Sequence, residues 1–162
     1  MDGGTGDDFV DGGDDADALM LGGDGEDTVN GGPGNDEELE GGDDRDTVNG
    51  GSGNDENVEG NDGRDTVNGG SGNDGDAGSA DGELEGGAGN NTVHGNDGND
   101  LIDANDRDTG DAEDIFGDAD DDTIDANDGE VDNIDCGSGN DTVIFDAGID
   151  IVDVNCNNQV PL

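Results

Sequence analysis

Aromatic residues are almost missing from this chain. Its 162 residues include three phenylalanines, with no tryptophan or tyrosine, and only 25% are hydrophobic. A conventional globular core is therefore excluded, because so little apolar burial cannot offset the entropy of ordering the chain. Basic residues are as scarce. Three arginines stand against 48 aspartates and glutamates, giving a formal net charge of -45. With no basic patch to meet phosphates, nucleic-acid binding is excluded. Attraction to an anionic membrane surface is excluded too, and no apolar run approaches a membrane span. One histidine and no lysine are present, and nothing forms a constellation with the carboxylates, so catalysis has no support. The glycine loops lack the G-K-[ST] of a phosphate-binding loop. No secretory leader is visible: Met1-Asp2 runs straight into a repeat, so a mature region or a domain of a longer protein is expected. Such acidity ordinarily belongs to a disordered tail, and it also suits solubility at high salt.

What is present is glycine, 35 residues of it, and it is periodic. From Gly22 to Asp74 the chain reads GGDGEDTVN, GGPGNDEELE, GGDDRDTVN, GGSGNDENVE, GNDGRDTVN, GGSGND. Repeats start at Gly3, Gly12, Gly22, Gly31, Gly41, Gly50 and Gly60, in steps alternating nine and ten residues. Asp27, Asp46 and Asp65 lie 19 residues apart, and so do Asp36, Asp55 and Asp74. Disordered tails keep no such register. A fixed period of this length marks a solenoid, with two units per coil.

The segment after each aspartate is short and β-favouring, as in Thr28-Val29-Asn30, Thr47-Val48-Asn49 and Thr66-Val67-Asn68. Because side chains alternate across a strand, Val29, Val48 and Val67 are expected to point inward. Leu19, Leu39, Val58 and Leu84 are expected opposite them. The architecture that fits is all-β: a right-handed parallel β-roll, with two short strands per coil of about 18–19 residues and about seven coils. Register slips near 75–85, where about seven residues look inserted, and near 104–116. Within the second slip Asp114 is the expected acidic position, and 126–135 is degenerate. Repeats fill 1–141, and the apolar tail 142–162 reads as final strands plus a cap. The opening turns enter mid-pattern, which suggests an open coil end.

The unit GGxGxDxUx, with U a large aliphatic, resembles the nonapeptide of repeats-in-toxin proteins, the hemolysin-type calcium-binding repeats. GGSGND at Gly50–Asp55 and again at Gly69–Asp74 match it closely. About a dozen copies in register carry the resemblance, from Gly3 to Val143 with gaps. It implies that each sixth-position aspartate gives a carboxylate to calcium and that glycine-turn carbonyls supply the rest. One edge would use Asp8, Asp27, Asp46 and Asp65, and the other Asp17, Asp36, Asp55 and Asp74. Asp100, Asp122 and Asp141 would extend the ladders, with carbonyls from Gly32, Gly34, Gly51, Gly53, Gly70 and Gly72. Asn91 departs from the pattern, and Asp15 and Asp44 replace third glycines. The chemistry agrees, since calcium is a hard ion taking six to eight oxygens at about 2.3–2.6 Å. Roughly 8–12 ions are expected from the number of same-edge turn pairs. No window has the EF-hand pattern. Asp125 to Cys136 (DANDGEVDNIDC) resembles a thrombospondin type 3 calcium repeat in isolation.

Cys136 and Cys156 lie 20 residues apart, about one coil, and are a disulfide candidate that would clamp the cap. Two reduced, buried thiols are the alternative. A bond would imply an oxidising, extracellular compartment. His94 is expected to be an exposed surface residue, and Arg45 and Arg64 to relieve acid repulsion. Calcium is the expected partner. The expected function is an extracellular calcium-binding structural module, secreted or at the cell surface, that folds on the ion. It would belong to a larger surface protein or stack end to end with itself into a calcium-stabilised fibre. A weaker alternative is an ice-binding face along the Thr28/Thr47/Thr66/Thr92 column, although threonine also simply suits a strand.

Overall fold

The computed structural model describes residues 1–75, 82–105 and 111–162. Every regular element in these is a β-strand, and they build two parallel sheets. The first sheet, with nine strands, stacks β1 (Asp2–Thr5), β3 (Met20–Asp24), β5 (Glu38–Asp43), β7 (Asn57–Asp62), β9 (Leu84–Glu85), β11 (Leu101–Asp103), β13 (Thr123–Ala126), β15 (Thr142–Phe145) and β17 (Asn158–Pro161). The second, with eight, stacks β2 (Phe9–Asp11), β4 (Thr28–Pro33), β6 (Thr47–Ser52), β8 (Thr66–Ser71), β10 (Thr92–Asp97), β12 (Asp114–Ala119), β14 (Asn133–Asp135) and β16 (Ile151–Val152). The chain alternates between sheets, so it is a β-solenoid of about eight coils. That exceeds the expected seven because β16 and β17, in the tail, add parallel rungs of their own.

Two aliphatic columns fill the space between the sheets. Val10, Val29, Val48, Val67, Val93, Ile115 and Ile134 pair rung to rung in the second sheet. Met20, Leu39, Val58, Leu84, Ile102, Ile124 and Val143 do so in the first. Leu19 was expected in that column, but it is 41% exposed while Met20 is fully buried. In the early coils the inward residue on this side stands three positions after its aspartate, as in Asp36 to Leu39, whereas it stands two positions after it at Ile102, Ile124 and Val143 and on the other side, as in Asp27 to Val29. A one-residue shift along a strand exchanges its two faces.

The register survives both irregular stretches. Backbone-to-carboxylate bonds spanning 19 residues elsewhere span 26 from Asp74 to Asp100 and 22 from Asp100 to Asp122. The ladder therefore keeps its register across both stretches. Of the two expected insertions, 76–81 and 106–110 lie outside the described residues. Where a turn glycine is replaced, the backbone keeps its left-handed form: Asp44, Asn61, Asn96, Asp118 and Asp120 have φ from 72° to 84°. Asparagine and aspartate are the non-glycine residues that best tolerate it.

Candidate metal centre

The turns between the strands form two edges, each with a carboxylate ladder. On the second edge the backbone N–H groups of Asp17, Asp36, Asp55, Asp74, Asp100 and Asp122 each donate to Oδ1 of the aspartate one coil on, ending at Asp141, at 2.7–3.2 Å. On the first edge Asp8, Asp27 and Asp46 donate in the same way, ending at Asp65, at 2.7 Å. Asp65 donates to Asn91 Oδ1 at 2.8 Å. All eleven expected aspartates therefore occupy equivalent places. Asp8 and Asp17, in the outermost coils, are half-buried, and the other nine are at most 3% exposed.

One oxygen of each carboxylate is engaged by a neighbouring coil, but the other is not. Oδ2 of Asp27, Asp36, Asp46, Asp55, Asp65, Asp74, Asp100, Asp122 and Asp141 is buried with no hydrogen-bond partner. An isolated buried anionic oxygen is costly. All but that of Asp141, whose turn has Cys136 in this slot, lie beside the first glycine of their own turn, near a carbonyl of the next coil. A Cβ added at Gly41 would meet Asp46 Oδ2 and the Gly60 carbonyl, each at 2.7 Å, and at Gly117 Asp122 Oδ2 at 2.6 Å and the Cys136 carbonyl at 2.7 Å. This is a small oxygen-lined cradle that any side chain would fill. The carbonyls of Gly32, Gly34, Gly51, Gly53 and Gly72 point along the stack at the backbone of the following coil, where an added Cβ would collide with them.

Asn91 reports on what the cradle wants. Its Nδ2, in place of the aspartate's second oxygen, donates to the carbonyls of Gly87 and Gly89 at 2.8 and 3.2 Å. Two turn carbonyls thus converge where the other turns place a carboxylate oxygen. Three converging oxygens repel one another unless something positive sits among them. Asn91 supplies N–H protons, whereas an ionised aspartate in the other turns has none. Buried anionic and carbonyl oxygens without nitrogen or thiolate donors suit a hard divalent cation such as calcium.

Burial, opposed by the donated N–H, pushes several of these carboxyls above their ordinary value of 3.8. Asp46, Asp65 and Asp74 rise to about 6, Asp55 and Asp100 to about 7, and Asp122 to about 8. Asp36, Asp132 and Asp150 are raised by burial as well. Like-charged neighbours add to the rise at several of them, as Asp100 and Asp141 do at Asp122.

Some site residues escaped the sequence reading. Asp114 was expected at the ligand position, but it is exposed and its Oδ1 accepts from Asn133 Nδ2. Glu113 takes the ladder place, buried, with its N–H on Asp132 Oδ1 at 3.0 Å, and Asp132 in turn donates to Asp150 at 3.2 Å. Counting nine back from Asp122 and Asp141, the spacing of Asp27 and Asp36, lands on Glu113 and Asp132. His94 is not free on the surface. Its Nδ1 lies 2.8 Å from Asp118 Oδ2, and its ring stacks on Phe116 at 4.5 Å, away from both edges. Cys136 and Cys156 are bonded to each other, with Cα atoms 5.1 Å apart.

A family model, the RTX calcium-binding nonapeptide repeat in four copies, matches residues 1–24, 21–56, 40–75, 76–106, 108–130 and 132–152. No curated protein and no solved structure matches the chain.

Proposed function

The chain belongs to the RTX calcium-binding nonapeptide repeat family, and from that premise we propose that it is an extracellular structural module whose coils are held together by calcium. The observation that carries this is the set of buried second oxygens of the ladder aspartates, which have no hydrogen-bond partner. In this reading Asp8, Asp17, Asp27, Asp36, Asp46, Asp55, Asp65, Asp74, Asp100, Asp122 and Asp141 give carboxylates. The turn glycines Gly32, Gly34, Gly51, Gly53, Gly70 and Gly72 give carbonyls. Calcium supplies charge neutralisation. The chain supplies a spacing that presents the oxygens of successive coils to one another. The tail, residues 142–162, adds the last rungs and is tied to the preceding coil by the Cys136–Cys156 bond.

The disulfide supports an oxidising compartment. Outside the cell calcium is also abundant enough to fill weak sites. A calcium titration followed by circular dichroism tests the reading. We expect little β-signal in chelator and a cooperative gain on adding calcium, and an unchanged β-spectrum in chelator would overturn it. A second reading, end-to-end stacking, draws on the edge strands β1 and β2, which pair with another strand on one side only. Light scattering in the same titration decides it, since mass growth with calcium supports stacking and a constant monomer mass ends it.

A further inference from the structure

Three carboxylates meet at a place where the glycine turn is lost. Glu113 immediately precedes β12, Asp132 immediately precedes β14, and Asp128 lies in the loop between β13 and β14. One carboxylate oxygen from each falls within 4.8 Å of the others. Two ligands on opposite sides of a calcium ion, each at about 2.4 Å, are about 4.8 Å apart, so one ion can touch all three. Glu113 and Asp132 are 1% and 0% exposed.

The loop is fixed by its own hydrogen bonds, and these leave oxygens over. Asp132 Oδ1 accepts the Glu113 N–H at 3.0 Å, and Asp128 Oδ1 accepts the Glu130 N–H at 2.8 Å. The Oδ2 of Asp132 and that of Asp128 are buried without a hydrogen-bond partner. From the far side Asp146 Oδ2 accepts the Gly129 N–H at 2.7 Å, and Asp150 Oδ1 accepts the Asp132 N–H at 3.2 Å. Both contacts hold the loop in place.

This arrangement differs from the repeat turns. Residues 126–132 read ANDGEVD, with a single glycine, so the loop lacks the two adjacent glycines and their carbonyl cradle. In exchange Asp128, which is not on the ladder, adds a third carboxylate. We propose that Glu113, Asp128 and Asp132 form a separate calcium site, built from side-chain carboxylates rather than from a glycine turn. It would join the coil of β12 to the coil of β14, both beyond the second irregular stretch. The inference rests on the calcium reading above for the identity of the ion, and not for the position of the ligands.

The test counts bound calcium by elemental analysis of the full chain after free ion is removed, with circular dichroism to confirm the fold. We expect Asp128→Asn and Glu113→Gln each to lose one ion, and the double variant also to lose one, because the ligands share it. Glu56→Gln, an exposed charge removed elsewhere, should lose none. Should Glu113→Gln misfold, Asp128→Asn decides alone, since its side chain lies off the ladder. A full ion count in Asp128→Asn, or two ions lost in the double variant, overturns the site. Those results leave the ladder reading standing if Asp55→Asn lowers the count, whereas a wild-type chain that binds no calcium ends both.

Discussion

The two edges of the solenoid are built from the same turn but differ in continuity. The second edge carries aspartate at every rung from Asp17 to Asp141. The first is broken after Asp65 by Asn91 and resumes with Glu113 and Asp132. The break is informative because the backbone hardly changes across it: Asn91 Oδ1 accepts the Asp65 N–H just as the aspartates do. Only the second atom differs, and there an amide donates to two turn carbonyls. The ladder bond is thus indifferent to charge. The inner position demands a proton, on nitrogen or on the carboxyl itself, or a cation.

Calcium withdrawal should give the largest effect, and pH should separate the edges. In the folded, metal-free chain the raised carboxyls, Asp46, Asp55, Asp65, Asp74, Asp100 and Asp122, make the native state bind more protons than the unfolded state, so stability falls as pH rises. The contribution is fully present below about 3.8. It is lost as pH climbs through about 6 at Asp46 and Asp65 and about 7 to 8 at Asp55, Asp100 and Asp122. In chelator, acidification from pH 8 to 4 should therefore restore β-structure, with amide protection appearing first along the second edge. A chain that stays unfolded down to pH 4 would break this account.

Single ligands come next. Asp55→Ala, mid-ladder on the unbroken edge, should raise the calcium midpoint at least tenfold, or about 1.4 kcal/mol. Asp65→Ala should raise it less, because the adjoining Asn91 turn is already filled by amide protons. Equal shifts would mean that continuity along an edge does not matter. Asn91→Asp tests the converse. It should add one bound ion and lower the midpoint a few-fold, while weakening the calcium-free fold at neutral pH through a further buried charge. An unchanged ion count would show that the turn at 86–91 is closed to metal for another reason.

Much of this was legible in the residues. The 19-residue spacing gave the coil, and the sixth-position aspartates gave both ladders, because a period measured over many copies tolerates local errors. What escaped reading lay where a unit stood alone. Leu19 and Met20 are adjacent and both apolar, so composition could not choose between them, although counting 19 back from Leu39 lands on Met20. The choice is made by the ten-residue half-coil, which sets its inward residue one place later. Asp114 looked right beside Ile115, yet the ladder is kept by Glu113, an unexpected residue type in the right place. Asp128 had no period to betray it, since it reaches Glu113 and Asp132 only through the folded loop.

The smallest effect concerns the outer rim, where the edges differ again. On the second edge the residue before the aspartate is asparagine at Asn35, Asn54, Asn73, Asn99 and Asn140, with Ala16 and Asp121 at the other two rungs, and the N–H groups of Asn54, Asn73 and Asn99 donate to Oδ1 of Asn35, Asn54 and Asn73 at 3.0–3.1 Å. These bonds run backward along the stack, opposite in sense to the inner ladder, so each turn is stitched to both neighbours. The first edge has Glu26, Arg45, Arg64 and Asn90 at that position, with Arg45 and Arg64 exposed. Asn73→Ala removes one rim bond, and water can replace the lost acceptor because the rim is exposed. It should cost about 0.5–1.5 kcal/mol in calcium-saturated urea unfolding. Arg64→Ala removes no rim bond and should stay within about 0.5 kcal/mol. If Arg64→Ala proved the more damaging, charge relief rather than rim bonding would be what the outer positions contribute. The asymmetry of the two edges would then lie in electrostatics alone.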